Sequence, residues 1–185
     1  MDNLGAKLRS LRKTKNLSLK QLASRVACSP SYVSMVENGK VDPGISRLKR
    51  IADGLEITIV DLFQAHTNQL TNDQEIIVRK QERVQAEFPR SRTRLEILVP
   101  QLSRKQMDAR LAIIQPGGDS GGEYKHPGEE FGLLLVGILE LTIGGVKYEL
   151  FEGDSFYFDS NRDHRYRNPG DKDTMVVWIN HPPTF

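Results

Sequence analysis

One cysteine, Cys28, stands among 185 residues, so no internal disulfide can staple this chain, and a lone thiol among apolar positions points to a reducing, cytoplasmic setting. No stretch approaches the roughly 20 apolar residues that cross a bilayer, and Met1-Asp2-Asn3 is not the opening of a signal peptide. A membrane partner is therefore not expected. Repeats and low-complexity segments are also missing, which excludes solenoids and disordered tails as the main architecture. Charge of one sign is scarce overall, at +2 net, but the balance hides a split. Residues 1–63 hold eleven Lys and Arg against six Asp and Glu (+5), whereas the remainder holds fifteen against eighteen (−3). A basic head on an acidic body suits a polyanion at one end only.

What is present changes texture along the chain. The first part reads as short helices. Leu4, Leu8 and Leu11 share one helical face, and Asn16 breaks that run. Ser18 and Gln21 form a capping box for a second helix whose buried stripe is Leu22, Ala23 and Val26. Ser29 caps a third, with Pro30 at the first helical position and Tyr32, Val33 and Val36 inward; Asn38-Gly39 ends it. A fourth, starting near Pro43 or Gly44, carries Ile45, Leu48, Ile51, Ala52 and Leu55. A short fifth is expected from the Thr58 cap and Asp61, burying Val60 and Phe63. Residues 64–74 are polar without period and read as a linker. Beyond it come short alternating runs separated by glycine and proline: Glu75–Arg79, Arg94–Val99, Arg110–Ile114, Phe131–Val136, Leu139–Ile143, Tyr148–Phe151, Ser155–Phe158 and Met175–Ile179. Such spacing indicates an antiparallel sandwich or barrel. The expected organisation is a helical domain over 1–63, a linker over 64–74 and an all-β domain over 75–185.

Two short helices, a tight turn at Ala27-Cys28 and a third helix form the arrangement that lays one helix in the major groove. Leu17 through Ala23, then Ser29-Pro30-Ser31-Tyr32-Val33-Ser34-Met35-Val36-Glu37-Asn38-Gly39-Lys40, closely resemble the phage-repressor (Xre-type) helix-turn-helix family over about residues 3–63. The resemblance implies a five-helix head that binds double-stranded operator DNA. Base-edge contacts would come from Pro30, Ser31, Ser34 and Met35, with Ser29 at the helix start. Phosphate contacts would come from Ser18, Lys20, Asn38 and Lys40. Arg12 and Glu37 match a structural ion pair. Leu19 and Pro30 stand where the family often has glutamine, so readout leans on hydroxyls, the Met35 thioether or DNA shape.

The second half resembles the cupin superfamily, a double-stranded β-helix barrel. Its first motif appears as Gly118, Tyr124-Lys125-His126, Glu130 and Gly137, and its second as Gly153, Asp159, Asn161, His164 and Asn168. Three of the family's four metal ligands survive, His126, Glu130 and His164, with Tyr124 replacing the first histidine. Two imidazoles and a carboxylate can hold a divalent metal with open positions; they can also bind an organic effector, or only each other. The phrases His126-Pro127-Gly128-Glu129-Glu130-Phe131-Gly132, Gly153–Phe158 and Pro182-Pro183-Thr184-Phe185 are similar to regulators in which such a head precedes a cupin, the putrescine-utilisation repressor group. That resemblance implies a polyamine, amine or amino-acid effector. Glu123, Glu130 and Glu129 would supply an acidic lining, and Tyr124, Phe156, Phe158, Tyr166 and Trp178 aromatic walls. His66 and His181 stand outside this set.

The expectation is a non-enzymatic, ligand-sensing transcriptional repressor acting as a homodimer or higher oligomer. The alternatives are a metal-dependent cupin enzyme with a DNA-binding appendage, and a DNA-binding protein whose barrel only dimerises.

Overall fold

The structure, a computed structural model, describes residues 4–63, 75–100, 102 and 105–184. The expected linker 64–74, with His66, lies outside them. Four α-helices open the chain: α1 (Leu4–Thr14), α2 (Leu19–Arg25), α3 (Pro30–Glu37) and α4 (Ile45–Gly54). Their boundaries follow from local chemistry. The Ser18 hydroxyl accepts the Gln21 N–H, while the Gln21 side chain accepts the Ser18 N–H at 2.8 Å. Ser29 Oγ accepts the Tyr32 N–H at 3.1 Å, with Pro30 just behind it, where no helical N–H is needed. Asn16 and Ala27 turn the chain through positive φ (54° and 51°).

The fifth helix is a correction. Thr58 and Asp61 do form their reciprocal cap, at 2.8 and 3.2 Å, but among the described residues one 3₁₀ turn, Val60–Leu62, follows in place of an α-helix. Ile59 and Leu62 are buried there and Phe63 is half-buried. A cap satisfies the orphan N–H groups of a start; it does not supply the apolar stripe that propagates a helix.

Nine strands follow among the described residues: β1 (Gln85–Phe88), β2 (Thr93–Ile97), β3 (Asp108–Ile114), β4 (Glu129–Val136), β5 (Ile138–Ile143), β6 (Val146–Phe151), β7 (Ser155–Asp159), β8 (His164–Arg167) and β9 (Thr174–His181). They form two antiparallel sheets, ordered β1-β2-β3-β9-β4-β7 and β6-β5-β8. The run Glu75–Arg79, expected as a strand, is not one; β1 and β8, not expected, are. The expected closed barrel appears as these two facing sheets. Segment 119–124 touches β8 only through single bridges, Asp119 to Arg167 and Tyr124 to His164. Between them Gly121 and Gly122 take φ of 75° and 133°, which interrupts a ladder.

Alternation decides what lies between the sheets. Glu130, Gly132 and Leu134 of β4, Val176, Trp178 and Asn180 of β9, and Arg110, Ala112 and Ile114 of β3 are buried. Gly132 is required here, because the Phe156 ring occupies the place a Cβ would take. The two halves of the chain touch directly. The Ser46 N–H donates to Ser120 O at 2.9 Å, Ile45 N–H to Ser91 Oγ at 3.2 Å and Arg50 to Glu123 O at 2.8 Å.

Candidate DNA-binding face and candidate ligand site

The third helix is held from beneath. Val33 and Val36 are buried, and Arg12 grips Glu37 in a bidentate pair, Nε to Oε1 at 2.6 Å and Nη2 to Oε2 at 2.9 Å. The third guanidinium group donates to Leu17 O at 2.7 Å. The hydrogen bond to Glu37 raises the Arg12 pKa further, against the opposing effect of burial. The expected structural bridge is therefore complete, every charged atom paired.

The opposite face of α3 is open. Pro30, Ser31 and Met35 are exposed, as are Asn38 and Lys40 beyond its end; Ser34 is half-buried. Lys20 is exposed on α2. The β half meets α4, not α3, in the contacts given above, so none of the described contacts walls this face off. Ser18 and Ser29 use their oxygen lone pairs as caps, which leaves each O–H free to donate to a phosphate. Asn38 Nδ2 donates to Ser34 O at 2.7 Å, holding the helix end. Lys49, counted with the basic head in the sequence, is instead only 2% exposed and ion-paired with Asp53.

Between the sheets, β4 sets Glu130 four residues after His126 and β8 opens on His164. These three offer ligand atoms within 4.8 Å of one another, all buried. Glu130 is the hub. Its Oε1 lies 2.7 Å from His126 Nε2 and accepts Asn180 Nδ2 at 2.7 Å; its Oε2 accepts Trp178 Nε1–H at 2.7 Å. Arg110 Nη1 donates to the Asn180 oxygen. Burial alone would push the Glu130 pKa up, but the hydrogen bond from His126, together with the neighbouring His164 and Arg110, brings it down to about 2. Glu130 is thus an ionised carboxylate in a dry interior.

His164 differs. Its Nδ1 bonds Arg162 O at 2.8 Å, which makes Nδ1 the N–H and leaves Nε2 with a lone pair. That Nε2 is buried, has no hydrogen-bond partner, and lies 3.7 Å from Glu130 Oε1. Burial lowers the His164 pKa, outweighing the attraction of Glu130. A neutral imidazole whose other nitrogen is fixed by a carbonyl is the arrangement of a metal-ligating histidine, and the His₂Glu donor set fits a divalent ion. The His126–Glu130 hydrogen bond would open to admit one.

Tyr124 replaces a ligand with a ring that packs on His164, centroids 4.3 Å apart. Its phenol stays neutral, since burial and Glu130 both raise its pKa. Phe158 lies 5.0 Å from the His164 ring, Phe156 4.9 Å and Tyr166 5.7 Å from Trp178. All the expected aromatic walls therefore line one interior. The acidic lining is a correction: Glu123 and Glu129 are exposed, Glu129 because alternation turns it away from Glu130. His181 is exposed and bonds Gln106 O, away from the cluster.

His126 also lines a surface groove. Lys125, His126, Pro127, Pro183 and Thr184 form one bank of an open groove of about 560 Å³, and Lys49, Asp53, Glu56, Ile57, Thr58 and Asp61 of the helical half form the other. Thr184 Oγ1 accepts the same Asn180 amide that serves Glu130, at 3.0 Å.

A helix-turn-helix family model matches residues 8–62 and a cupin-domain model matches residues 110–180. The HTH-type transcriptional regulator PuuR of Escherichia coli (strain K12) is 23% identical over 98% of this chain and 96% of its own length. The chain therefore carries a helix-turn-helix domain followed by a cupin domain. A solved HTH_3 family transcriptional regulator from Vibrio cholerae is similar in fold over 97% of this chain and 95% of its own, with a TM-score of 0.74 and 22% identity. HppE in its Fe(II) form is similar in fold, with a TM-score of 0.50, 21% identity and coverage of 96% and 97%. The matched cupin region contains Arg110, His126, Glu130, His164, Trp178 and Asn180. Sequence reading missed three parts of the Glu130 network: Arg110, Asn180 and the Trp178 bond to Glu130. The available signal was the Trp178-x-Asn180 spacing, which places both on the inward parity of one strand.

Proposed function

We propose that the protein is a transcriptional regulator, a ligand-responsive repressor that binds operator DNA as a homodimer in the cytoplasm. The outer face of α3, with Ser31, Ser34 and Met35, reads base edges, while Ser18, Lys20, Asn38 and Lys40 hold phosphates on either side. The outer face of the large sheet supplies the pairing surface. Phe131, Leu133 and, past a bulge, Val136 of β4 stand beside Tyr157 of β7 and Met175, Val177 and Ile179 of β9 on that face, all exposed or half-buried. A contiguous apolar face of this kind favours association. Two paired subunits would place two recognition helices on half-sites about 34–36 Å apart.

The observation that carries the sensing role is the groove at the seam. A small molecule resting on His126 and Thr184 also meets Asp53, Glu56 and Asp61 of the head, so occupancy changes the contacts that orient α4. A ligand shifts the head only through such differential contact. With Glu123 and Glu129 turned outward, the cationic end of an amine, polyamine or amino acid finds the groove's carboxylates, and its apolar part finds Ile57, Pro127 and Pro183. Titrating amines, amino acids and Zn²⁺ or Fe²⁺ into the protein–operator complex, with fluorescence anisotropy as readout, tests this. The expected result is a ligand that changes operator affinity in wild type and not in Asp61→Asn/Glu56→Gln. No response to any class would remove the sensing role.

A second reading is favoured by the orphaned His164 Nε2: a metal-dependent cupin enzyme carrying a DNA-binding domain. His126, Glu130 and His164 would hold the ion, which when bound supplies a Lewis acid with open positions. Around it Trp178 and Asn180 orient Glu130, and the aromatic interior excludes water. Metal analysis of the purified protein and an oxygen-consumption assay separate the two readings.

A further inference from the structure

The outer face of the small sheet carries a second site, unrelated to Glu130. An open cleft of about 420 Å³ lies there between the loop 119–122, the turn at Arg90, and strands β5 and β8. Along β8, His164 and Tyr166 point inward, so Arg165 and Arg167 leave together on the outer side. Arg90, from the turn Pro89–Ser91, comes to the same cleft. The register sets Glu140 across from Arg167 and Thr142 across from Arg165. Yet the two acids of the cleft are engaged elsewhere: Glu140 ion-pairs with Lys147 at 2.5 Å, and Asp119 Oδ1 accepts the Gly121 N–H at 2.6 Å. Arg165 Nε reaches only Thr142 Oγ1, at 3.4 Å. None of the three arginines forms an ion pair among the described residues.

Three arginines outnumber the two acids of this cleft, and both acids already have partners, so the cleft keeps an excess of positive charge that an anion would neutralise. The arginines' planar forks match an oxyanion in two-point contact, which a lysine could not offer. We propose that this cleft binds a phosphate-type oxyanion, supplied by the DNA backbone or by a free phosphorylated molecule. Its position favours neither source over the other on charge alone. Gly121 lies against Gly44, at the start of α4, and Gly122 against Ser46, so the cleft adjoins the part of the head that follows the recognition helix. A duplex phosphate there would extend the footprint onto the cupin half.

The test uses the full chain with inorganic phosphate as probe, by calorimetry, and a non-specific duplex, by anisotropy across a salt series. Arg90→Gln/Arg165→Gln/Arg167→Gln is compared with Arg94→Gln, which removes charge from the other sheet. Phosphate binding weakened about tenfold in the triple variant and kept in Arg94→Gln supports the site. If the backbone is the source, the triple variant also lowers the slope of log affinity against log salt, by about 0.9 per lost phosphate contact. An unchanged slope with lost phosphate binding assigns the cleft to a free molecule. Phosphate affinity and salt slope both equal to wild type would overturn the proposal. Should the triple variant unfold, Arg165→Lys/Arg167→Lys decides: the charge stays and the fork is lost, so weakened phosphate binding supports the site and unchanged binding overturns it.

Discussion

Each half of the molecule buries charge, and the two do so differently. In the head, Arg12 and Glu37 satisfy each other completely, with a backbone carbonyl taking the remaining donor. Between the sheets, Glu130 is saturated by three donors while His164 Nε2, beside it, has none. A closed pair fixes geometry; an open nitrogen in a dry interior costs free energy unless something arrives to use it. The contrast separates a strut from a receptor.

Breaking the strut should give the largest effect. Glu37→Ala strands a buried guanidinium and is expected to destabilise the protein by about 3–5 kcal/mol, read by urea denaturation. A loss below 1 kcal/mol would mean that the pair is not what anchors α3.

Acid should act on the other centre. The Glu130 pKa is depressed to about 2 from an ordinary 4.5. Its stabilisation is therefore present above about pH 4.5 and lost as pH falls toward 2, on the order of 3 kcal/mol. His164, also depressed, adds a loss that begins below its ordinary value near 6.5, because the unfolded chain binds that proton first. Stability that fell instead as pH rose from 4 to 7 would contradict both assignments. Comparing wild type with Glu130→Gln isolates the lower window.

A smaller effect sharpens the contrast. His164→Gln removes the partnerless Nε2 together with the Nδ1 bond to Arg162 O and the ring packed on Tyr124, so the unliganded protein should lose on the order of 1–3 kcal/mol, while a thermal shift caused by Zn²⁺ in wild type should vanish. A large loss without metal would make His164 a strut like Arg12. The smallest concerns the turn between α2 and α3: Ala27 holds φ of 51°, where a Cβ is strained, so Ala27→Gly should stabilise by about 1 kcal/mol.

The head was the more legible half because its signals are local. Caps at Ser18 and Ser29, Pro30 at a helix start and apolar spacing each act within four residues, and all were met. Thr58 shows the limit, since a formed cap preceded only one turn. The cupin half depends on register, which no short window contains. His126, Glu130 and His164 were recoverable from motif spacing, but Arg110 and Asn180 enter the network only once β3, β4 and β9 are aligned. Glu123 and Glu129 were misplaced for the same reason. Lys49 read as solvated charge because nothing local shows that α4 lies against the other half.

The account rests on the outer face of α3 seating against duplex edges. Selecting DNA from a random-sequence pool with the full chain, then comparing wild type with Ser31→Glu/Met35→Glu on the selected duplex, tests it most directly. The expected result is a two-fold-related sequence about one helical turn between half-site centres, with at least about a tenfold loss in the variant and an unchanged melting temperature. Enrichment of no sequence, or equal binding by the variant, would contradict it.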